Sequence, residues 1–191
     1  MRGMKLNIAG YIKSSRANGP GNRSVIFFQG CPFRCRGCFN EHLQPVEEKQ
    51  LISPGDLLRE ISENNRIEGI TVSGGEPFLQ PESLFELLKK AKERYACSTI
   101  LYTGYLFEEI DKKFHPYLDV LIDGKFEKDL MEHQMIRGST NQRFIFLSDR
   151  YSEKDMKRKG DMEIIVQADG TVLITGFPKG EKNVAFYQNP D

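Results

Sequence analysis

The sequence predicts an α/β fold: a partial, open β/α barrel carrying a C-terminal β-hairpin extension. Short apolar, β-rich runs alternate with helical patterns through most of the chain. That alternation argues for parallel strands joined by crossover helices. Only about five such strands fit, too few for an eight-stranded closed barrel of roughly 250 residues. The two stretches richest in chemistry each follow directly on a strand, and the C-terminal edge of a parallel sheet is where ligands bind.

Taken in order, Leu6 to Ile12 reads as a first strand with weak alternation. Asn18-Gly-Pro-Gly-Asn22 is a turn by composition, followed by Arg23 and the buried strand Ser24 to Phe28. Ser53-Pro54 opens a helix, with serine as N-cap, proline in the first turn and Asp56 at the third position. Gly69 to Val72 is the next strand. Pro81 to Tyr95 is the clearest helix, with Leu84, Leu88, Ala91 and Tyr95 on one stripe. Ser98 to Tyr102 is a strand, Leu106 to Lys113 a short helix, Asp119 to Ile122 a strand, and Phe144 to Leu147 the last core strand. Beyond Ser148 the style changes. Ser152 to Lys159 reads as a charged helix, and Met162 to Thr175 as a hairpin about an Asp169-Gly170 turn. Residues 1–148 are therefore expected to form the core domain, and 149–191 an extension of it.

Composition excludes several classes. The 191 residues carry 27 Lys plus Arg and 27 Asp plus Glu, so no global charge points to nucleic acid. No apolar run approaches membrane-spanning length, and Met1 to Lys5 lead into no signal-peptide core, which predicts a cytoplasmic protein without a membrane partner. Three of the four cysteines cluster within eight residues, a pattern that reads as a metal site rather than a disulfide framework. Cys97 stands apart and reads as a small buried hydrophobe.

The cluster is Cys31-x3-Cys35-x2-Cys38, on the loop after the Ser24–Phe28 strand. Three thiolates on one loop can converge on a soft metal centre. An iron–sulfur cubane normally takes four cysteines, so three leave one iron open to a small molecule. The alternative is a structural zinc site with His42 as fourth ligand. His115 and His133 share no ligand spacing with it. A second constellation, Ser73-Gly74-Gly75-Glu76-Pro77, follows the Gly69–Val72 strand. Its glycines permit close backbone approach to a ligand, their amides and carbonyls can bond an amino acid's charged groups, and Glu76 can accept from an ammonium. Asp123-Gly124-Lys125 follows a third strand, so its side chains are expected at the same edge, the aspartate steadying the lysine. Arg137 and Arg143 bracket a donor-rich loop that either binds a ligand or caps itself.

Together these motifs resemble the radical S-adenosylmethionine (SAM) superfamily. Gly19-Pro-Gly-x-Arg23 resembles the glycyl-radical-enzyme activases within it. Gly37 before Cys38, Tyr102-Thr-Gly-Tyr105, Val120 to Phe126 and Arg137 to Gln142 are similar to the activating proteins of anaerobic (class III) ribonucleotide reductase. The resemblance runs from Asn18 to Leu147. It implies a [4Fe-4S] cluster on Cys31, Cys35 and Cys38, with SAM on the open iron. It implies that Gly37, Cys38 and Phe39 line one side of the SAM site, that Ser73, Gly74, Gly75 and Glu76 bind its methionyl end, and that Asp123, Gly124 and Lys125 lie near it. Flavodoxin or ferredoxin is the implied electron donor. The implied target is a glycine in the large subunit of the reductase.

Overall fold

A computed structural model describes residues 4–63, 66–158 and 162–177, and the backbone of 186–188. A seven-stranded sheet runs in the order β3-β1-β2-β4-β5-β6-β7. Its strands are β1 (Leu6–Ser15), β2 (Arg23–Phe28), β3 (Gln50–Ile52), β4 (Gly69–Gly74), β5 (Ser98–Tyr102), β6 (Val120–Asp123) and β7 (Arg143–Phe146). The helices are α1 (Pro54–Ser62) and α2 (Pro81–Tyr95). A separate antiparallel sheet holds β8 (Met162–Val166), β9 (Val172–Gly176) and β10 (Phe186–Gln188).

The four central strands, β2, β4, β5 and β6, are parallel. The flanking strands are not: β1 pairs antiparallel with β2, and β7 with β6. The reason lies in the connections. A short turn at residues 16–22 can only reverse the chain, whereas parallel pairing needs a crossover. What the pairing establishes is thus a mixed α/β sheet with edges at β3 and β7, plus the hairpin sheet. Two short strands, β3 and β10, have no strong pattern in the sequence. The stretch expected as a helix at Leu106 to Lys113 is two 3₁₀ segments, Phe107–Glu109 and Lys112–Tyr117. The charged helix expected from Ser152 is a 3₁₀ turn, Glu153–Met156; Lys159 lies outside the described residues.

Both α-helices follow the local rules. The Ser53 hydroxyl accepts from the Asp56 amide at 3.1 Å and donates to its carboxylate at 2.6 Å, closing the N-terminus of α1. In α2, Leu84, Leu87, Leu88 and Ala91 are fully buried. They pack with Leu57, Leu58 and Ile61 of α1 on the strand residues Ile26, Phe28, Ile70, Val72, Leu101 and Leu121. Each large aliphatic removed from water there contributes about 1.5–3 kcal/mol. Cys97 is a buried member of this core.

The same strands turn their alternate residues the other way. Ile100, Val120 and Ile122 form a second core with Ile136, Met156 and Phe177, and Val25 and Phe27 a third with Leu173. The base of this second face is polar. Arg23 is fully buried, and its guanidinium donates to Thr71 Oγ1 (2.8 Å), Ser98 Oγ (2.8 Å), the Ile70 carbonyl (2.6 Å) and Tyr151 Oη (3.1 Å). A side chain on Gly69 or Gly19 would strike it. Arg23 thereby ties β2 to β4 and β5 and closes one end of the space above this face.

Candidate functional site

At the other end, past the C-terminal ends of β2, β4, β5 and β6, lies a cavity open to solvent. Cys31, Cys35 and Cys38 line it on one side, and Ser73, Gly74, Gly75 and Glu76 on another. Phe33, Phe39, Thr103, Gly104, Gly124, Lys125 and Phe126 also reach it. Register brings these motifs together: Phe27 faces Ser73 and Phe28 faces Gly74 on adjacent strands, so both loops leave the sheet side by side.

The cysteine loop is held by its ends. Cys31 donates its amide to the Gln44 carbonyl at 3.0 Å, and Asn40 Nδ2 reaches the Gly74 carbonyl at 3.4 Å. Two left-handed residues, Arg34 (φ 49°) and Gly37 (φ 69°), wind the chain between the thiols. The Asn40 amide points at Cys38 Sγ at 3.4 Å. Burial pushes the Cys31 and Cys38 thiols up, opposed by backbone amides: Phe33 and Arg34 at Cys31, Asn40 at Cys38. Those N–H groups favour the thiolate, the form that binds metal.

The glycine loop works differently from its expected role. The Gly75 amide donates to the Phe28 carbonyl and the Glu76 amide to the Gly30 carbonyl, both at 2.8 Å. A Cβ on Gly75 would lie 2.1 Å from the Gly30 oxygen, and one on Gly74 2.3 Å from the Phe28 nitrogen. The glycines therefore let two loops touch, and these two amides are already in use. Glu76 is buried and accepts from the Phe78 amide (2.9 Å), Thr103 Oγ1 (2.9 Å) and the Gly104 amide (2.8 Å). Burial raises its pKa to about 7 against those donors. A carboxylate has about four acceptor positions, so one remains for a ligand.

Two expected site residues lie elsewhere. The Asp123 carboxylate is fully buried on the opposite side of β6. It accepts from Arg143 Nε at 3.0 Å, from Arg143 Nη2 and from the Phe107 amide at 2.7 Å, so it does not steady Lys125. A break in the period of two explains this: β6 ends at Asp123, and the left-handed Gly124 (φ 99°) swings Lys125 into the cavity, its Nζ 4.9 Å from the centre of the Phe33 ring. Gly37 does not line the cavity either; a Cβ there would meet Lys128. The Arg137–Arg143 loop caps itself, through Arg137 Nη1 to the Gln142 carbonyl (2.8 Å) and Gln142 Nε2 to the Gly124 carbonyl (2.9 Å). His42 and His133 are exposed, and no histidine lines the cavity. Phe177, Gly176, Asn18 and Gln142 also line the cavity without having been expected there; Asn18 and Gln142 lie in the Asn18–Asn22 turn and the Arg137–Gln142 stretch, whereas Gly176 and Phe177 lie in no local motif that signals it.

A family model described as a 4Fe-4S single cluster domain matches residues 17–145. The anaerobic ribonucleoside-triphosphate reductase-activating protein of Enterobacteria phage T4 is 38% identical over 132 residues, 66% of this chain and 85% of that protein. This chain belongs to that activating-protein family. The Haemophilus influenzae relative of the same name is 34% identical, over 72% of this chain and 96% of its own length. A solved structure, QueE from Escherichia coli, aligns with TM-score 0.45 and 20% identity over 53% of each chain. The matched domain is one for a single 4Fe-4S cluster, and the motif resemblance set out above implies SAM beside it.

The cavity fits both groups. Among the described residues no three His, Cys, Asp or Glu side chains converge tightly enough for a single metal ion. A cubane does not require that, since each thiolate takes its own iron. Asn40 Oδ1, of a residue on the cavity wall, is buried without a hydrogen-bond partner among the described residues. Buried polar atoms of that kind are satisfied by a bound group or by water.

Proposed function

We propose that this chain generates the glycyl radical of an anaerobic ribonucleotide reductase, on a partial β/α barrel formed by residues 1–148. One observation carries the reading: Cys31, Cys35, Cys38 and Glu76 line one cavity, in a chain whose relatives are named as activating proteins of that reductase. A cluster held there would supply the one electron that cleaves the sulfonium of SAM to methionine and a 5′-deoxyadenosyl radical, the species that would take a hydrogen atom from a glycine of the large subunit. The protein's part is to bind, orient and exclude. Cys31, Cys35 and Cys38 would hold three irons. Glu76 and the carbonyls beside it would receive the ammonium of SAM, and Lys125 a carboxylate or hydroxyl. Phe27, Phe33 and Phe126 line the cavity with rings and so limit water there. No proton-transfer pair is needed. A flavodoxin or ferredoxin would supply the electron.

The test is anaerobic. Reconstituted, reduced protein with SAM and a class III reductase should yield 5′-deoxyadenosine, methionine and a glycyl radical signal. Alanine at Cys31, Cys35 or Cys38 should abolish all three and lower the iron content; Cys97→Ala should change neither. Iron-loaded, reduced protein that never cleaves SAM beside the reductase would defeat the proposal, and loss of iron from Cys97→Ala would defeat the three-ligand site.

A further inference from the structure

The C-terminal extension lies beyond the matched span, residues 17–145, yet it reaches the cavity. Leu173 and Thr175 of β9, and Phe177 directly after it, alternate inward and are each buried. Gly176, at φ 116°, and Phe177 both line the cavity wall. The position is held from two sides. Asn18, itself a wall residue, donates through Nδ2 to Thr175 Oγ1 at 2.9 Å, and its carbonyl accepts from Thr71 Oγ1 at 2.8 Å. The Arg158 guanidinium lies 4.2 Å from the Phe177 ring centre, while its own N–H groups hold the Met135 and Glu132 carbonyls at 2.6 and 2.7 Å. Phe177 meets Phe39 edge-on at 6.4 Å, and Phe39 meets Phe126 at 5.1 Å. Three rings from three distant segments therefore make one aromatic wall.

One cation is already in place on that wall, the Arg158 guanidinium over the Phe177 ring, so a ligand ammonium would meet like charge there. Arg158 does not itself line the cavity, so a carboxylate set against the rings would lose water and find no partner among them. The carboxylate and carbonyls that suit the amino-acid end lie on the loop at residues 73–76. The planar, uncharged part of the ligand is its base, and a base gains from stacking and from burial against rings. We propose that Phe177, supplied by the C-terminal extension, is a ligand-binding residue that forms with Phe39 and Phe126 the seat of the adenine ring of SAM. The inference rests on the SAM-dependent function proposed above. It also gives the extension a role: a fixed third wall added to a core that otherwise leaves that side of the cavity without one.

The experiment measures binding, not turnover. Wild type, Phe177→Leu and Phe177→Ala, each reconstituted with iron and sulfide, are dialysed anaerobically against SAM, against 5′-methylthioadenosine and against methionine. Leucine keeps most of the apolar volume and removes the ring, so it carries the test if alanine fails to fold. Phe177→Leu should bind SAM and methylthioadenosine about tenfold more weakly, with methionine affinity and iron content unchanged and the thermal midpoint lowered by only a few degrees, as expected for trimming one buried ring. Equal affinity of wild type and Phe177→Leu for methylthioadenosine would overturn the inference. An equal loss for methionine and for methylthioadenosine would overturn it too, since it would mark a structural role. Wild type that binds none of the three would instead strike the function proposed above.

Discussion

The central sheet has two faces built from the same strands, and they hold together by different means. Toward the helices, β2, β4 and β5 present Ile26, Phe28, Ile70, Val72 and Leu101. Toward the cavity they present Arg23, Phe27, Thr71, Ser73, Ser98 and Tyr102. The helix face is stabilised by apolar area, which is non-directional and spread over many residues. The cavity face has apolar cores of its own, and to them its base adds hydrogen bonds whose partners are individually specified. A buried donor or acceptor left alone costs about 1–3 kcal/mol. A fold can thus tolerate variation on one face while the other admits little.

Replacing one residue on each face by methionine tests this most directly. Leu88→Met conserves apolar volume in the helix-facing core and should cost less than about 1.5 kcal/mol. Arg23→Met also keeps a long unbranched stem, yet it removes the charged donor shared by Ser98 Oγ, Thr71 Oγ1, Tyr151 Oη and the Ile70 carbonyl, leaving the hydroxyls only their bonds to one another and to the Asn18 and Glu68 carbonyls. It should cost about 3–5 kcal/mol. Urea unfolding of the two variants gives both numbers. Equal costs would show that the cavity face is held by packing after all.

The same contrast explains what could be read from the sequence. The helix face was legible. Its residues repeat at 3.6 or 2.0, and the spans of α2 and β5 follow from periodicity and from the Pro81 start. The gathering of the cysteine loop and Ser73–Glu76 at one edge followed from both lying at strand ends. The direction of β1 and β7 was not legible, because pairing sense depends on where a connection returns rather than on the strand itself. Phe177 was invisible for a similar reason: its partners Phe39 and Arg158 are remote in sequence, and a lone aromatic after a hairpin carries no periodic signal. Asp123 misled because two-residue spacing suggested one destination, and a left-handed Gly124 gave two.

Glu76 is the place where the cavity face stores an electrostatic cost. Its pKa is about 7 in the fold against 4.5 ordinarily, chiefly through burial. The folded chain therefore keeps this proton to higher pH than the unfolded chain does. The associated stability is fully present below about pH 4.5 and is lost as pH rises through about 7, at most about 3 kcal/mol in total. Glu76→Gln cannot ionise, so iron-free variant protein should lose less stability than wild type between pH 5 and 7.5. Its stability at pH 5 should be lower, because an amide NH₂ faces the donors of Thr103, Gly104 or Phe78. Parallel pH profiles for the two proteins would mean that Glu76 does not titrate in this window.

The smallest effect separates two neighbours. Asp123 and Lys125 sit on either side of Gly124, one buried in an ion pair with Arg143 and one exposed over Phe33 at the cavity. Asp123→Asn should weaken the bonds to Arg143 and the Phe107 amide. The cost should be about 1–2 kcal/mol of stability, reduced because Arg143 is half-exposed and its charge is screened. Its affinity for SAM should not change. Lys125→Met keeps the apolar stem and removes the charge. A lost charged hydrogen bond to a ligand costs about 1.5–3 kcal/mol, or roughly 10- to 150-fold in affinity. Lys125 must leave the Phe33 ring to reach the ligand, giving up about 0.5–1 kcal/mol of cation–π attraction, so the lower end applies: about a tenfold loss, with stability little altered. Anaerobic SAM titration followed by the EPR signal of the reduced cluster measures one quantity, and thermal unfolding the other. The expected result is crossed, stability falling only for Asp123→Asn and affinity only for Lys125→Met. If Asp123→Asn weakened SAM binding as much as Lys125→Met and left stability intact, the two side chains would act on the same side of β6. The division of the sheet into a structural face and a ligand face would then fail at this strand.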